Sequence, residues 1–100
     1  MISVGIIGAS GYTGAELLRI CSKHPNFEVK TAVASTYAGT AISDVHVHLS
    51  PEFPEMLFED KDSAPLSECE IIFTGLPHGA SQKVIPELLE TAKLIVDLGA

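Results

Sequence analysis

Residues 2–9, "ISVGIIGA", form an apolar, β-branched run stopped at Gly8, which predicts a strand. From Gly14 the pattern changes. Leu17, Leu18 and Cys21 follow it at i+3, i+4 and i+7, with Gly14 as the small, close-packing first member, and this predicts a helix. The helix should end before Pro25, because the residue ahead of a proline avoids the helical region. "FEVKTAVAS" (27–35) predicts a second strand, with Val29, Thr31 and Val33 expected on one face. Residues 36–67 keep no regular period. They contain Pro51, Pro54, Pro65 and the acidic run "FEDKDS", and predict loops with one or two short strands and a turn of helix. "CEIIFTGLP" (69–77) predicts a third strand. In "SQKVIPELLETAK" (81–93), Ile85, Leu88, Leu89 and Ala92 again show helical spacing, with Pro86 in the first turn or at a kink. "KLIVDLGA" (93–100) predicts a final strand.

The order is therefore β-α-β, an irregular stretch, then β-α-β. Strands alternating with helices imply crossover connections and a parallel sheet, and nearly continuous apolar strands suit one buried on both faces. The expected fold class is α/β, a truncated Rossmann-like doubly wound parallel sheet, with residues 1–100 as one dinucleotide-binding domain.

Composition narrows the function. The 100 residues are 46% apolar, enough for a core, and carry 13 acidic against 6 basic side chains, a net charge of −7. That balance disfavours nucleic acid and anionic membrane surfaces as partners. No apolar run approaches a membrane span, and the N-terminus lacks a signal-peptide pattern. Two cysteines make no disulfide framework. These features together fit the reducing cytosol.

Gly8, Gly11 and Gly14 give G-x-x-G-x-x-G between the first strand and the first helix. Gly8 is expected to let the chain turn sharply off the strand. Gly11 would remove a Cβ where a phosphate approaches the backbone, and Gly14 would let the helix pack close to the sheet. The helix N-terminus then offers unpaired N–H groups to a pyrophosphate. The alternative is a tight strand-to-helix turn without a ligand. The middle glycine comes one place later than in G-x-G-x-x-G, which leaves room for Ser10 and Thr13 to reach phosphate oxygens. Tyr12, in the same turn, is counted with the cofactor-binding residues. Thr13 and Glu16 also match a capping box, so both a capping and a phosphate role stand for Thr13.

An NAD site usually carries an acid after the second strand for the ribose 2′-hydroxyl. Here that region reads "AVASTYAG", with no acid, while Ser35 and Thr36 can donate to a 2′-phosphate. The expected cofactor is NADP, with an ordinary strand-end turn as the alternative role for Ser35 and Thr36. Pro77, His78 and Gly79 follow the third strand and fall on the cofactor side, since ligands bind outside the carboxyl ends of parallel strands. His78 is read as lining the cleft and positioning the dinucleotide rather than as an acid or base. His46 and His48 form H-x-H, but no third ligand of suitable type accompanies them, so no metal is expected. Cys21 reads as core. Cys69, between Glu68 and Glu70, should have a raised thiol pKa, and neither cysteine reads as a nucleophile. The acidic run from Glu59 to Asp62 reads as a solvated loop.

"VGIIGASGYTGAELLRI", the "YAG" after the second strand, "IIFTGLPHGAS" and "IVDLGA" together resemble the N-acetyl-gamma-glutamyl-phosphate reductases of arginine biosynthesis. The resemblance spans the chain and thins between Thr40 and Ser67. It departs from the family at Thr36, where arginine is often found, and at Gly99, where serine is usual. It implies a cytoplasmic, NADP-dependent enzyme in which a cysteine displaces phosphate from an acyl phosphate and the resulting thioester is reduced to a semialdehyde. The family's cysteine lies in a "GNPGCYPT"-like motif and its acid/base histidine lies beyond that; neither motif occurs in this sequence. No catalytic residue is therefore assigned. The chain is expected to bind NADP(H) without turning over substrate. The small acyl-phosphate substrate would be held by a further domain, in a parent expected to be a homo-oligomer. Related aspartate-semialdehyde or lysine-pathway reductases, and a non-enzymatic dinucleotide-sensing module, are the alternatives.

Overall fold

Strand β1 (Ile2–Ile7) occupies an inner position in a four-stranded sheet of order β2-β1-β3-β4, formed with β2 (Phe27–Val33), β3 (Ile71–Thr74) and β4 (Leu94–Asp97). Every pairing is parallel, as the alternating pattern predicts. The structure is a computed structural model and describes residues 1–75 and 92–98. Most of the helix expected over 81–93, together with Pro77, His78, Gly79 and Gly99, lies outside the described residues. Ala92 and Lys93, read from sequence as the end of that helix, are not helical and lead into β4; the Lys93 N–H donates to the Glu70 carbonyl at 3.1 Å.

Helix α1 (Tyr12–Lys23) buries Gly14, Ala15, Leu17, Leu18 and Cys21 along one stripe and is capped at His24, directly before Pro25. That stripe packs on Val4 and Ile6 of β1 and Ala32 of β2. Ile7, Val33 and Ile72 face the opposite side with Leu66 and Cys69. Since β2 and β3 flank β1 on opposite sides, the strand order reverses at the carboxyl ends of β1 and β3. This is where open α/β sheets form their ligand crevice.

β2 corrects the expected alternation. Val4 pairs with Val29 but Gly5 pairs with Thr31, so Lys30 is an extra residue opposite β1. A bulge of one residue exchanges the faces beyond it. Val29 accordingly packs with the α1 cluster, while Val33 joins the opposite cluster and Thr31 sits beside Gly5.

The aperiodic stretch is folded onto the α1 face. A 3₁₀ turn (Ser35–Tyr37), a one-turn helix α2 (Ile42–Val45) and a second 3₁₀ turn (Val47–Leu49) bury Ile42 and Leu49 beside Phe53 and Phe58. Backbone bonds tie it down: the Phe58 N–H donates to the Thr40 carbonyl, and the Ile42 N–H to the Met56 carbonyl, both at 2.9 Å. Glu59 corrects the expectation of a solvated acidic loop. Its N–H donates to the Ala32 carbonyl at 2.8 Å, its carbonyl accepts from the Ala34 N–H at 3.0 Å, and its carboxylate accepts from the buried Thr31 hydroxyl at 2.8 Å. The residue thereby covers the open edge of β2. Among the described residues, no helix is long and apolar enough to cross a membrane.

Candidate dinucleotide-binding site

The turn after β1 is built from its three glycines, each meeting a different demand. Gly8 has φ +78°, a left-handed conformation that glycine adopts without a Cβ clash. This reversal turns the Gly8 and Ala9 N–H groups onto one acceptor, the Val33 carbonyl, each at 3.0 Å. The turn is thus hung on the end of β2 as well as β1. A Cβ on Gly14 would collide with the Gly8 carbonyl oxygen and stand 2.5 Å from Ala9 Cα, so the absent side chain lets α1 close onto the turn itself. A Cβ on Gly11 would meet only the Gly8 oxygen, at 3.8 Å. Gly11 is exposed and leaves open space above the turn.

Gly11 is also the N-cap of α1, in extended backbone with no side-chain cap. This corrects the capping-box reading. The helix starts at Tyr12, which puts Thr13 one residue inside it and no longer at the cap position. Glu16 is bonded to Arg19 at 2.7 Å, and that hydrogen bond holds the Glu16 carboxyl below its usual pKa. Ala15 is the first residue of α1 whose N–H finds a backbone acceptor, the Gly11 carbonyl at 2.9 Å. Among the described residues, the N–H groups of Ser10, Tyr12, Thr13 and Gly14 have no hydrogen-bond acceptor. Four donors with the positive end of the helix dipole, beside a bare backbone and with no acid in the first turn, suit a bound pyrophosphate. A dinucleotide therefore fits this turn on the donors and the space it offers.

The other predicted residues fall around it. Ser10 and Thr13 are half-buried and Tyr12 is 84% exposed. Ser35 and Thr36 lie exposed in the 3₁₀ turn two and three residues beyond Val33, so β1 and β2 bring them to the same carboxyl end of the sheet as the glycines. Pro77, His78 and Gly79 lie outside the described residues. Just before them, Gly75 was missed by the sequence reading. A Cβ there would touch Thr13 Cγ2 at 3.4 Å and come within 3.7 Å of the Gly14 nitrogen. Its signal in the sequence is a glycine directly after the third strand.

In the sequence His46 stands only as half of a metal-like pair. Its Nε2 lies 2.8 Å from the Ala9 carbonyl, inside the glycine turn. The His46 and His48 rings meet edge-on at 6.1 Å, and no group of three His, Cys, Asp or Glu gathers among the described residues. Both thiols are buried, and burial is the main cause that raises each pKa. For Cys69, Glu68 adds to the rise and Lys30 opposes it, so the flanking acids are secondary to burial.

A family model described as "Semialdehyde dehydrogenase, NAD binding domain" matches residues 3–100. The whole chain is 41% identical to 30% of the N-acetyl-gamma-glutamyl-phosphate reductase of Methanopyrus kandleri. It is 39% identical, over 29% of the relative's length, to the reductase of the same name in Pseudomonas putida. The chain thus spans less than a third of these relatives. Among solved structures, 97% of the chain superimposes on 29% of the aspartate semialdehyde dehydrogenase of Candida albicans, solved with NADP, with a TM-score of 0.80 at 23% identity. The Vibrio cholerae aspartate semialdehyde dehydrogenase II gives 0.76 at 19% identity. These two likenesses concern the fold.

Proposed function

The chain belongs to the NAD-binding domain family of the semialdehyde dehydrogenases, and from that premise we propose that it is the NADP(H)-binding domain of an N-acetyl-gamma-glutamyl-phosphate reductase. The observation that carries the proposal is the glycine turn at the β1/β3 switch point, with its unpaired N–H donors and the open space at Gly11. Its relatives of that name match across the whole chain.

When bound, the dinucleotide supplies hydride for reduction of an acyl group. The work of this chain is to hold it. The N–H groups of Ser10, Tyr12, Thr13 and Gly14 receive the pyrophosphate, and Gly11 leaves the backbone open to it. Ser35 and Thr36 donate to the 2′-phosphate. Residues 34–39 contain no acid. This favours NADP over NAD, because an acid there would repel the extra phosphate. Pro77, His78 and Gly79 belong to the same site in this reading. The reaction itself, on an acyl phosphate, needs the cysteine and histidine of a second domain.

Calorimetric titration of the full-length protein with NADP⁺ and NAD⁺ in parallel tests this. NADP⁺ should bind about tenfold or more tightly than NAD⁺, the worth of one good charge-assisted contact. Equal affinities would remove the role of Ser35 and Thr36, and no binding of either would remove the proposal.

A further inference from the structure

We propose that His46 is a positioning residue that sets the direction of the Ala9–Ser10 peptide for pyrophosphate binding, an inference that rests on the dinucleotide reading above. A carbonyl oxygen can only accept, so His46 Nε2 carries the proton and donates to Ala9 at 2.8 Å. The chain has no cis peptide among its described residues. In a trans peptide the C=O and the following N–H point in opposite directions. Drawing the Ala9 carbonyl toward His46 therefore turns the Ser10 N–H away from it. That N–H is one of the donors with no protein acceptor among the described residues. A flip of this one peptide would put the carbonyl where the donor now stands and would set an oxygen against phosphate.

His46 is built to resist such a flip. It is only 8% exposed, and its ring stands edge-on to Phe58 at 5.9 Å. Its backbone is fixed on both sides, the His46 N–H donating to the Ile42 carbonyl at 2.8 Å and the Leu49 N–H donating to the His46 carbonyl at 2.9 Å. The acceptor is equally enclosed, since Ala9 is fully buried. Without the imidazole, the Ala9 carbonyl would lack a partner in a buried place, a cost that flipping relieves. The segment with no sequence period thereby aims a donor in the turn 37 residues before it.

The test compares His46→Gln with His46→Asn in the full-length protein. Both are neutral amides of the same chemistry. The glutamine N–H can reach the position of Nε2, whereas the asparagine N–H stops one bond short. Calorimetry should give an NADP⁺ dissociation constant within about threefold of the parent for His46→Gln and about tenfold weaker for His46→Asn, the range of one lost hydrogen bond. In the ligand-free protein, the Ser10 amide should exchange hydrogen more slowly in His46→Asn than in His46→Gln, because a flip would turn this N–H from the open face of the turn toward the enclosed side where His46 and Ala9 lie. Equal affinities of the two variants, in a parent that binds NADP⁺, would overturn the positioning role and leave the functional reading intact. A parent that binds neither dinucleotide would defeat the functional reading. The exchange comparison then decides the aim of the peptide alone, and equal exchange overturns it.

Discussion

The glycine turn, residues 8–14, and the first part of the aperiodic segment, residues 36–59, meet at one hydrogen bond and are built by opposite means. The turn is a short stretch whose residues answer local demands: a reversed backbone at Gly8, an open face at Gly11, a close approach at Gly14. The segment meets no local rule. Its buried side chains, Ile42, Leu49, Phe53 and Phe58, are spaced without period because 3₁₀ turns and bends present them one at a time. Yet that segment supplies His46 to the turn and Glu59 to the edge of β2. A local motif can offer a set of donors; one carbonyl among them takes its partner from far along the chain.

Three substitutions probe that contrast. The largest effect is expected in the segment. Phe58 is fully buried and touches the His46 ring, so Phe58→Ala should destabilise the protein by about 4 kcal/mol in urea unfolding. Dinucleotide affinity should fall with it, since the support of His46 is lost. A loss under about 1 kcal/mol would mean that the segment only drapes the sheet.

Gly14→Ala should come next, at about 3 kcal/mol, because its Cβ meets backbone on the turn and no flexible side chain can give way. The same unfolding curve measures it, and a neutral result would refute the close approach of α1. The smallest effect on stability belongs to Gly11→Thr. Threonine caps a helix about as well as glycine, and the backbone there, φ −82° and ψ −179°, suits a β-branched residue. Stability should stay within about 0.5 kcal/mol, while NADP⁺ affinity drops about tenfold or more as the side chain fills the open face. Unchanged affinity would show that no phosphate approaches Gly11.

Much of the scaffold is legible in the sequence. The strand runs, the stripe of α1 and its stop before Pro25 follow from period and from proline, both of which act over a few residues. Other features were misread for one recurring reason, the influence of a distant partner. The faces of β2 depend on an extra residue opposite β1, which alternation within β2 cannot reveal. The cap of α1 fell to Gly11 and not Thr13 because the helix is drawn down onto Ala9 by Gly14 and begins earlier than the box implies. His46 carried a metal-like pattern in sequence, and only the folded segment gave it the Ala9 carbonyl as partner.

The sequence by itself determined the class of fold and the place of the glycine turn, because backbone freedom and apolar period are properties of neighbouring residues. The tertiary structure alone decided the partner of the Ala9 carbonyl, how β2 divides its side chains and what closes its edge. Those outcomes depend on hydrogen bonds between residues 28 and 37 positions apart, from Thr31 to Glu59 and from His46 to Ala9, and on the register of β2 against β1, and folding alone brings such partners together.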